Sequence, residues 1–277
     1  GTEHPDTARV RSVLDELATA AVDPTDAAAL LRRAIVAEHR GDYVEAEGLF
    51  LQAYESGKAQ DGLPELYSSR AAFRLAEQYM RQGRFADAAP FYRKALTVFE
   101  QSPDRAFDVA ECLFGLADYL VSEGDADAAR ATAARALQVA QEELGADSDY
   151  MPRAYGRLGN VERALGALEA AQQHYQLAVR LSEERYPLDD VRRHAPVNNL
   201  AMVLAERGDM AGAEVLHRSV LADRERVLGE DHPSTAVSLM NLATVVSANG
   251  ELDEARSLTQ RALEIYQKKA GANSAET

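Results

Sequence analysis

Hydrophobic residues recur along this chain at the spacing of amphipathic helices. Residues that favour helix, chiefly Ala, Leu, Glu, Arg and Gln, fill most of the sequence. No stretch alternates β-branched or aromatic residues between turn signals, so no strand is predicted. The pattern therefore predicts an all-α protein.

Six glycines divide the helical pattern at a nearly constant interval. Successive glycines are 42, 41, 42, 42 and 42 residues apart, and an alanine follows each one five residues later. A glycine at such a place ends a helix in the left-handed conformation, so that a second helix can start after a short turn. The interval predicts six helical hairpins that bury their apolar faces by stacking. The glycines are Gly41, Gly83, Gly124, Gly166, Gly208 and Gly250.

Small and large residues also stand at fixed places within each repeat. A second alanine follows the first by seven residues in five repeats, and Leu-Ala or Leu-Gly begins eight residues before the glycine in five. Four residues after the first alanine, three repeats carry Phe50, Tyr92 or Tyr175, and the fifth carries His217. We expect the small residues to let two helices approach while the larger side chains fill the space beside them. His217 is accordingly predicted to pack in the core.

This pattern resembles the tetratricopeptide repeat (TPR) over roughly residues 25–270. The segments LGEDHPSTAVSLMNLA at 228–243 and HAPVNNLA at 194–201 resemble the longer repeats of kinesin light chains, and LGADSD at 144–149 keeps the place of their linker without its His-Pro. The first three repeats lack both signatures. The resemblance implies an all-α, right-handed α-solenoid of six TPR helical hairpins. It comprises an N-terminal capping helix within 1–24, hairpins at about 25–57, 65–102, 105–143, 150–185, 190–228 and 233–270, and a frayed tail at 271–277.

Helical spacing separates two sides of the first helix in each repeat. When the repeat glycine is numbered 15, positions 4, 7, 8 and 11 are apolar except for Arg33 and Glu162, and positions 2, 6, 9 and 13 fall on the opposite side. In proteins that this chain resembles, the first helix lines a concave groove, so we name positions 2, 6, 9 and 13 the groove face. This face carries six arginines against four acids, although the whole chain has a net charge of −15.

The groove face supplies candidate contacts for an extended peptide. Arginine pairs with carboxylates, and asparagine both donates to and accepts from a peptide backbone. Kinesin light chains and carboxylate-clamp TPR proteins are similar in using groove asparagines and basic residues. Carried over by position, the peptide-binding candidates are Arg70, Arg74, Arg153, Arg157, Asn160, Asn199 and Asn241, with Asn198 beside them.

Internal pairing is the alternative for two of these arginines. Arg74 stands three residues from Glu77 on one helix, a spacing that permits an ion pair. Arg70 is placed to reach Glu111 or Asp118 in the next repeat. The sequence leaves both alternatives open.

Composition and motifs narrow the class of partner. The acidic charge disfavours nucleic acid and anionic membranes. A single cysteine, Cys112, excludes an internal disulfide, is expected to be buried, and is consistent with a reducing, cytoplasmic location. No histidine pair has metal-site spacing and no glycine-rich phosphate loop is present, so we expect no metal, cofactor or catalytic residue.

These features predict a cytoplasmic protein–protein interaction scaffold, not an enzyme. Its partner would be a protein or peptide that offers an extended acidic or mixed-charge segment to the groove. The alternative is a peptide- or effector-sensing regulatory domain of a larger signalling protein. Self-association through the terminal repeats is left open.

Overall fold

A computed structural model describes residues 26–57, 63–102 and 104–275. Within these ranges the chain forms twelve α-helices and no strand, which confirms the all-α prediction. The capping helix predicted within 1–24 lies outside the described residues, as do residues 276–277.

The helices form six hairpins, one for each repeat. In chain order they are α1 (Ala27–Arg40) with α2 (Tyr43–Gly57), α3 (Leu63–Arg81) with α4 (Phe85–Phe99), α5 (Ala106–Ser122) with α6 (Ala126–Val139), α7 (Met151–Ala164) with α8 (Leu168–Arg185), α9 (His194–Glu206) with α10 (Met210–Leu228), and α11 (Pro233–Ala248) with α12 (Leu252–Ala275). A π-helical turn, Ala140–Leu144, follows α6, and a 3₁₀ turn, Val191–Arg193, precedes α9. The last helix continues into the segment that the sequence assigned to the tail.

The chain forms two compact units, residues 1–145 and 146–277. The N-terminal unit contains repeats 1 to 3, and the C-terminal unit contains repeats 4 to 6. Within each unit the two helices of a hairpin pack together, and the second helix also packs against the first helix of the next hairpin. The sequence did not indicate this division, which falls at the Gly145 turn.

The six repeat glycines end the first helices as predicted. Their φ angles lie between 74° and 90°, in the left-handed region that side chains disfavour. In three repeats the next residue is an aspartate whose carboxylate accepts a hydrogen bond from a backbone N–H of the second helix. The glycine and the cap together fix the start of the second helix.

The hairpin cores are built from the small residues that the repeat pattern contains. The first alanine after each glycine is buried in all six repeats, and the second in all five repeats that have it. The larger side chains beside them, Phe50, Tyr92, Tyr175 and His217, are buried as well, which confirms the core placement of His217. Close approach of helix backbones leaves room for one large side chain at each contact.

Candidate functional site

The first helices expose the groove face, with one exception. In repeats 1, 2, 4, 5 and 6 every residue at positions 2, 6, 9 and 13 is exposed or half-buried. In repeat 3, Glu111 and Gly115 are buried instead. The ring of Tyr92 from α4 lies against Gly115 and occupies the space where a Cβ would stand. The groove face of repeat 3 is therefore partly filled by the protein itself.

In the N-terminal unit, Arg74 is part of an internal ion-pair network. The Glu38 carboxylate, whose side chain is only 8% exposed, accepts from both Arg74 and Arg81. Arg74 also lies 2.9 Å from Glu77, the pairing that the helical spacing permitted. Arg70 is exposed and has no ion-pair partner among the residues described. Arg70 and Arg74 thus differ in how readily they could meet a ligand.

In the C-terminal unit, a chain of hydrogen bonds connects three consecutive helices at the groove face. The Tyr175 hydroxyl from α8 donates to Asn160 Oδ1 on α7 at 2.8 Å. Asn199 Nδ2 on α9 approaches the same oxygen at 3.5 Å. Burial raises the pKa of Tyr175, so its hydroxyl keeps its proton. The sequence placed Asn160 and Asn199 on the groove face but did not reveal Tyr175 as their partner.

Arg163 and Glu206 form an ion pair whose charges act on Tyr175. Arg163 Nη1 is 2.7 Å from Glu206 Oε1, an ion pair between α7 and α9. The positive charge of Arg163 opposes the rise in the pKa of Tyr175 that burial causes. The sequence did not single out Arg163, because its partners lie in other helices.

The remaining candidates divide between surface and core. Arg153 is exposed, Arg157 is half-buried, and Asn241 on α11 is half-buried without a hydrogen-bond partner in the described part of the chain. Asn198 is only 8% exposed, and its Oδ1 lies 3.3 Å from His217 Nδ1. Position 5 of α9 faces α10, so Asn198 packs in the hairpin core and not on the groove face.

Apolar side chains stand beside the asparagines in repeats 5 and 6. Met202 at position 9 of α9 is 38% exposed, and Val237 at position 2 of α11 is 45% exposed. The groove face of the C-terminal unit thus combines arginines in repeat 4 with amides and apolar side chains in repeats 5 and 6.

Two further observations bear on other kinds of site. No helix in the described ranges is long and apolar enough to cross a bilayer. Nowhere among the described residues do three or more His, Cys, Asp or Glu side chains group so that they could hold a metal ion. Cys112 is buried, as expected, and burial raises the pKa of its thiol well above the usual value.

Several solved structures share this fold. BtubC (BKLC) from P. vanneervenii has a TM-score of 0.64 and 20% identity, over 83% of this chain and 92% of that chain. A putative kinesin light chain from Podosopora anserina, with nearly identical TPR-like repeats, has a TM-score of 0.60 and 19% identity, over 76% and 99%. A Rap protein complexed with competence and sporulation factor has a TM-score of 0.65 and 15% identity, over 94% and 80%.

Sequence comparison identifies the family directly. A search of curated proteins finds no significant match. The tetratricopeptide repeat profile matches residues 25–101, 67–137, 108–184 and 193–268, which together span most of the chain. The matched ranges contain all six repeat glycines and most of every hairpin. The chain therefore belongs to the tetratricopeptide repeat family.

Proposed function

We propose that the groove face of the C-terminal unit binds an extended peptide segment of a partner protein. Tetratricopeptide repeat proteins generally mediate protein–protein interaction. The observation that carries the proposal is the series Asn160, Asn199 and Asn241, which puts a half-buried amide on each first helix of the unit. A peptide backbone offers alternating carbonyl and N–H groups, and amide side chains match both.

Charge supports an acidic or mixed-charge segment. Arg153 and Arg157 lie at positions 2 and 6 of α7, on the same side as Asn160. Within the C-terminal unit the arginines of the groove face all belong to repeat 4, in a chain with net charge −15. A carboxylate on the peptide would be attracted to this end, and Met202 and Val237 offer apolar contact at the other.

The fold itself lowers the cost of binding. The helices hold the amides in place before a ligand arrives, so little side-chain freedom is lost on association. The similar Rap protein is complexed with competence and sporulation factor in its crystal structure. We also propose that the partner is a protein and that binding takes place in the cytoplasm.

Arg70 is a separate candidate in the N-terminal unit. It is exposed on the groove face of α3, and a carboxylate could reach it without displacing an existing partner. A ligand at Arg74 would compete with Glu38 and Glu77 for its guanidinium. We therefore expect Arg70 to contribute more than Arg74 to any binding by this unit.

A synthetic library of immobilised ten-residue peptides tests the proposal. Wild type is compared with Asn199→Ala/Asn241→Ala, which removes two amides, and with Arg153→Glu/Arg157→Glu, which reverses the charge of repeat 4. We expect the affinity of the asparagine variant for its peptides to fall roughly tenfold or more, because two hydrogen bonds are lost. We expect the arginine variant to stop binding the acidic peptides that wild type captures. Raising the salt concentration should weaken acidic peptides most.

The matched control is Arg256→Glu on α12, a second helix of the same unit. Arg256 has an 82% exposed side chain and lies outside the groove face. It makes the same Arg-to-Glu replacement at one position, half the charge change of the double variant, without touching the proposed site, so its peptide profile should equal that of wild type. If all four proteins capture the same peptides at the same level, the groove proposal is wrong.

A further inference from the structure

We infer that repeat 4 contains a hydrogen-bond-donor subsite for a carbonyl or carboxylate oxygen, and that Tyr175 sets its polarity from within the core. Tyr175 is a positioning residue, because it is only 1% exposed and acts through Asn160. The inference rests on the proposed function, since it assigns a chemistry to one part of the same groove face.

The missing side chain of Gly159 brings the tyrosine to this place. A Cβ on Gly159 would lie 2.6 Å from Tyr175 Cε1 and 2.8 Å from Cδ1, so the ring occupies space that only glycine leaves open. The other five repeats carry alanine at this position, namely Ala34, Ala76, Ala117, Ala201 and Ala243. In repeat 2, where Ala76 stands there, the equivalent Tyr92 lies against Gly115 of α5 instead.

The geometry around Asn160 Oδ1 gives the direction of the hydrogen bond. The Tyr175 hydroxyl donates its single proton to this oxygen, 2.8 Å away. Asn199 Nδ2 approaches the same oxygen at 3.5 Å. The oxygen of Asn160 is therefore engaged inside the protein, and both Nδ2 hydrogens are left for a ligand.

The three amides consequently differ in what they can offer. Asn160 presents donors only. Asn199 has one Nδ2 hydrogen engaged and keeps its own oxygen as an acceptor. Asn241 has no partner within the described residues and can present either end. With Arg153 and Arg157 on the same side of α7, repeat 4 favours an aspartate or glutamate side chain over a lysine.

The peptide library, with Asp, Asn and Lys scanned at every position, tests this polarity. Wild type should prefer Asp over Lys at one position. Tyr175→Phe keeps the ring but removes the hydroxyl, so Asn160 can turn, and the Asp:Lys ratio should fall about threefold to tenfold. Asn160→Asp should reverse the preference. Tyr92→Phe, the same change in repeat 2, should leave the ratio at the wild-type value.

A second measurement requires no selected peptide. Sodium acetate is titrated into ¹⁵N-labelled protein, and the Asn160 side-chain amide signals are followed. They should shift more in wild type than in Tyr175→Phe at equal acetate concentration. Equal shifts in the two proteins would overturn the inference even when circular dichroism shows both to be folded.

The outcomes separate the two proposals. If Tyr175→Phe lowers the melting temperature but leaves the Asp:Lys ratio unchanged, its role is structural only and the inference is wrong. If that ratio is unchanged while Asn199→Ala/Asn241→Ala loses affinity, the inference falls and the proposed function stands. If the asparagine variant also binds like wild type, the proposed function itself falls.

Discussion

Single residues at one repeat position decide what the neighbouring ring can reach. Position 8 of the first helix is alanine in five repeats and Gly159 in the fourth. One missing methyl group lets the Tyr175 ring approach α7 closely enough for its hydroxyl to meet Asn160. The absence of one side chain therefore decides which polar group the tyrosine hydroxyl meets.

Replacing Gly159 with alanine should destabilise the protein. The added methyl group would lie 2.6 Å from Tyr175 Cε1, so the ring or the helix must move. Such overpacking typically costs about 1–3 kcal/mol. The gain from replacing a helical glycine is at most about 1 kcal/mol. We expect Gly159→Ala to lower the free energy of unfolding, as measured by urea denaturation at constant pH.

Gly156 in the same helix provides the control. A Cβ added there meets nothing within 4 Å, so Gly156→Ala should raise the free energy of unfolding by up to about 1 kcal/mol. The two variants should therefore shift stability in opposite directions. An equal gain at both positions would show that the Tyr175 ring does not fill the space beside Gly159.

Spacing along one helix predicted part of the site but not its partners. It correctly separated Asn199, which is half-buried on the groove face, from the apolar side of α9. It could not show that the adjacent Asn198 is held in the core by His217, because that contact joins two helices. For Arg74 it found Glu77 three residues away but missed Glu38, which is 36 residues distant in sequence.

At the scale of elements, ion pairs recur where consecutive first helices meet. Glu38 with Arg81 and Arg163 with Glu206 join positions 12 and 13 of adjacent repeats, each 43 residues apart. In the first pair the acid is at position 12 and the arginine at position 13, and in the second pair they are exchanged. The two pairs thus use the same positions with opposite charges. The glycine period predicts that the first helices stack. It does not predict which of the two positions carries the acid and which the arginine, because the period does not determine those residues.

Because Glu38 is more buried than Glu206, its ion pairs should contribute more to the free energy of unfolding. Glu38 is 8% exposed and accepts from two guanidiniums, so Glu38→Gln should lower the free energy of unfolding by about 1–3 kcal/mol. Glu206→Gln removes one pair whose side chains are about a third exposed and should cost less than about 1 kcal/mol. Urea denaturation of both variants checks the order.

The dependence on salt concentration independently tests which of the two variants is the more destabilising. Ions screen the exposed Arg163–Glu206 pair more than the sheltered Glu38 network. The cost of Glu206→Gln should therefore fall as sodium chloride is raised, while the cost of Glu38→Gln changes less. The reverse dependence would mean that the Glu38 carboxylate is hydrated in solution.

At the scale of the whole molecule, the histidines are unevenly distributed between the two units. His174, His194, His217 and His232 all lie in the C-terminal unit, and burial lowers the pKa of each. For His194 the nearby Arg224 and Arg193 lower the pKa further. Its Nε2 is buried with no hydrogen-bond partner in the described structure, so no hydrogen bond from Nε2 would stabilise a proton on the ring.

This distribution makes the C-terminal unit sensitive to mild acid. The unfolded chain takes up protons on these histidines near their ordinary pKa of about 6.5, whereas the folded state resists them until lower pH. Their contribution to stability is therefore complete above about pH 6.5 and is lost as the pH falls below it. Most carboxylates titrate lower, so the interval from about pH 6.5 to 5 isolates the histidines.

We expect the urea midpoint to be nearly constant from pH 8 to 7 and to fall between pH 6.5 and 5. Hydrogen exchange, corrected for the intrinsic pH dependence, should show protection lost first in residues 146–275. The variant His194→Gln/His217→Gln should have a flatter pH profile than wild type, because two of the groups that resist protonation are gone. A midpoint that rises on acidification would require these histidines to gain partners when charged, contrary to the burial of His194 and His217.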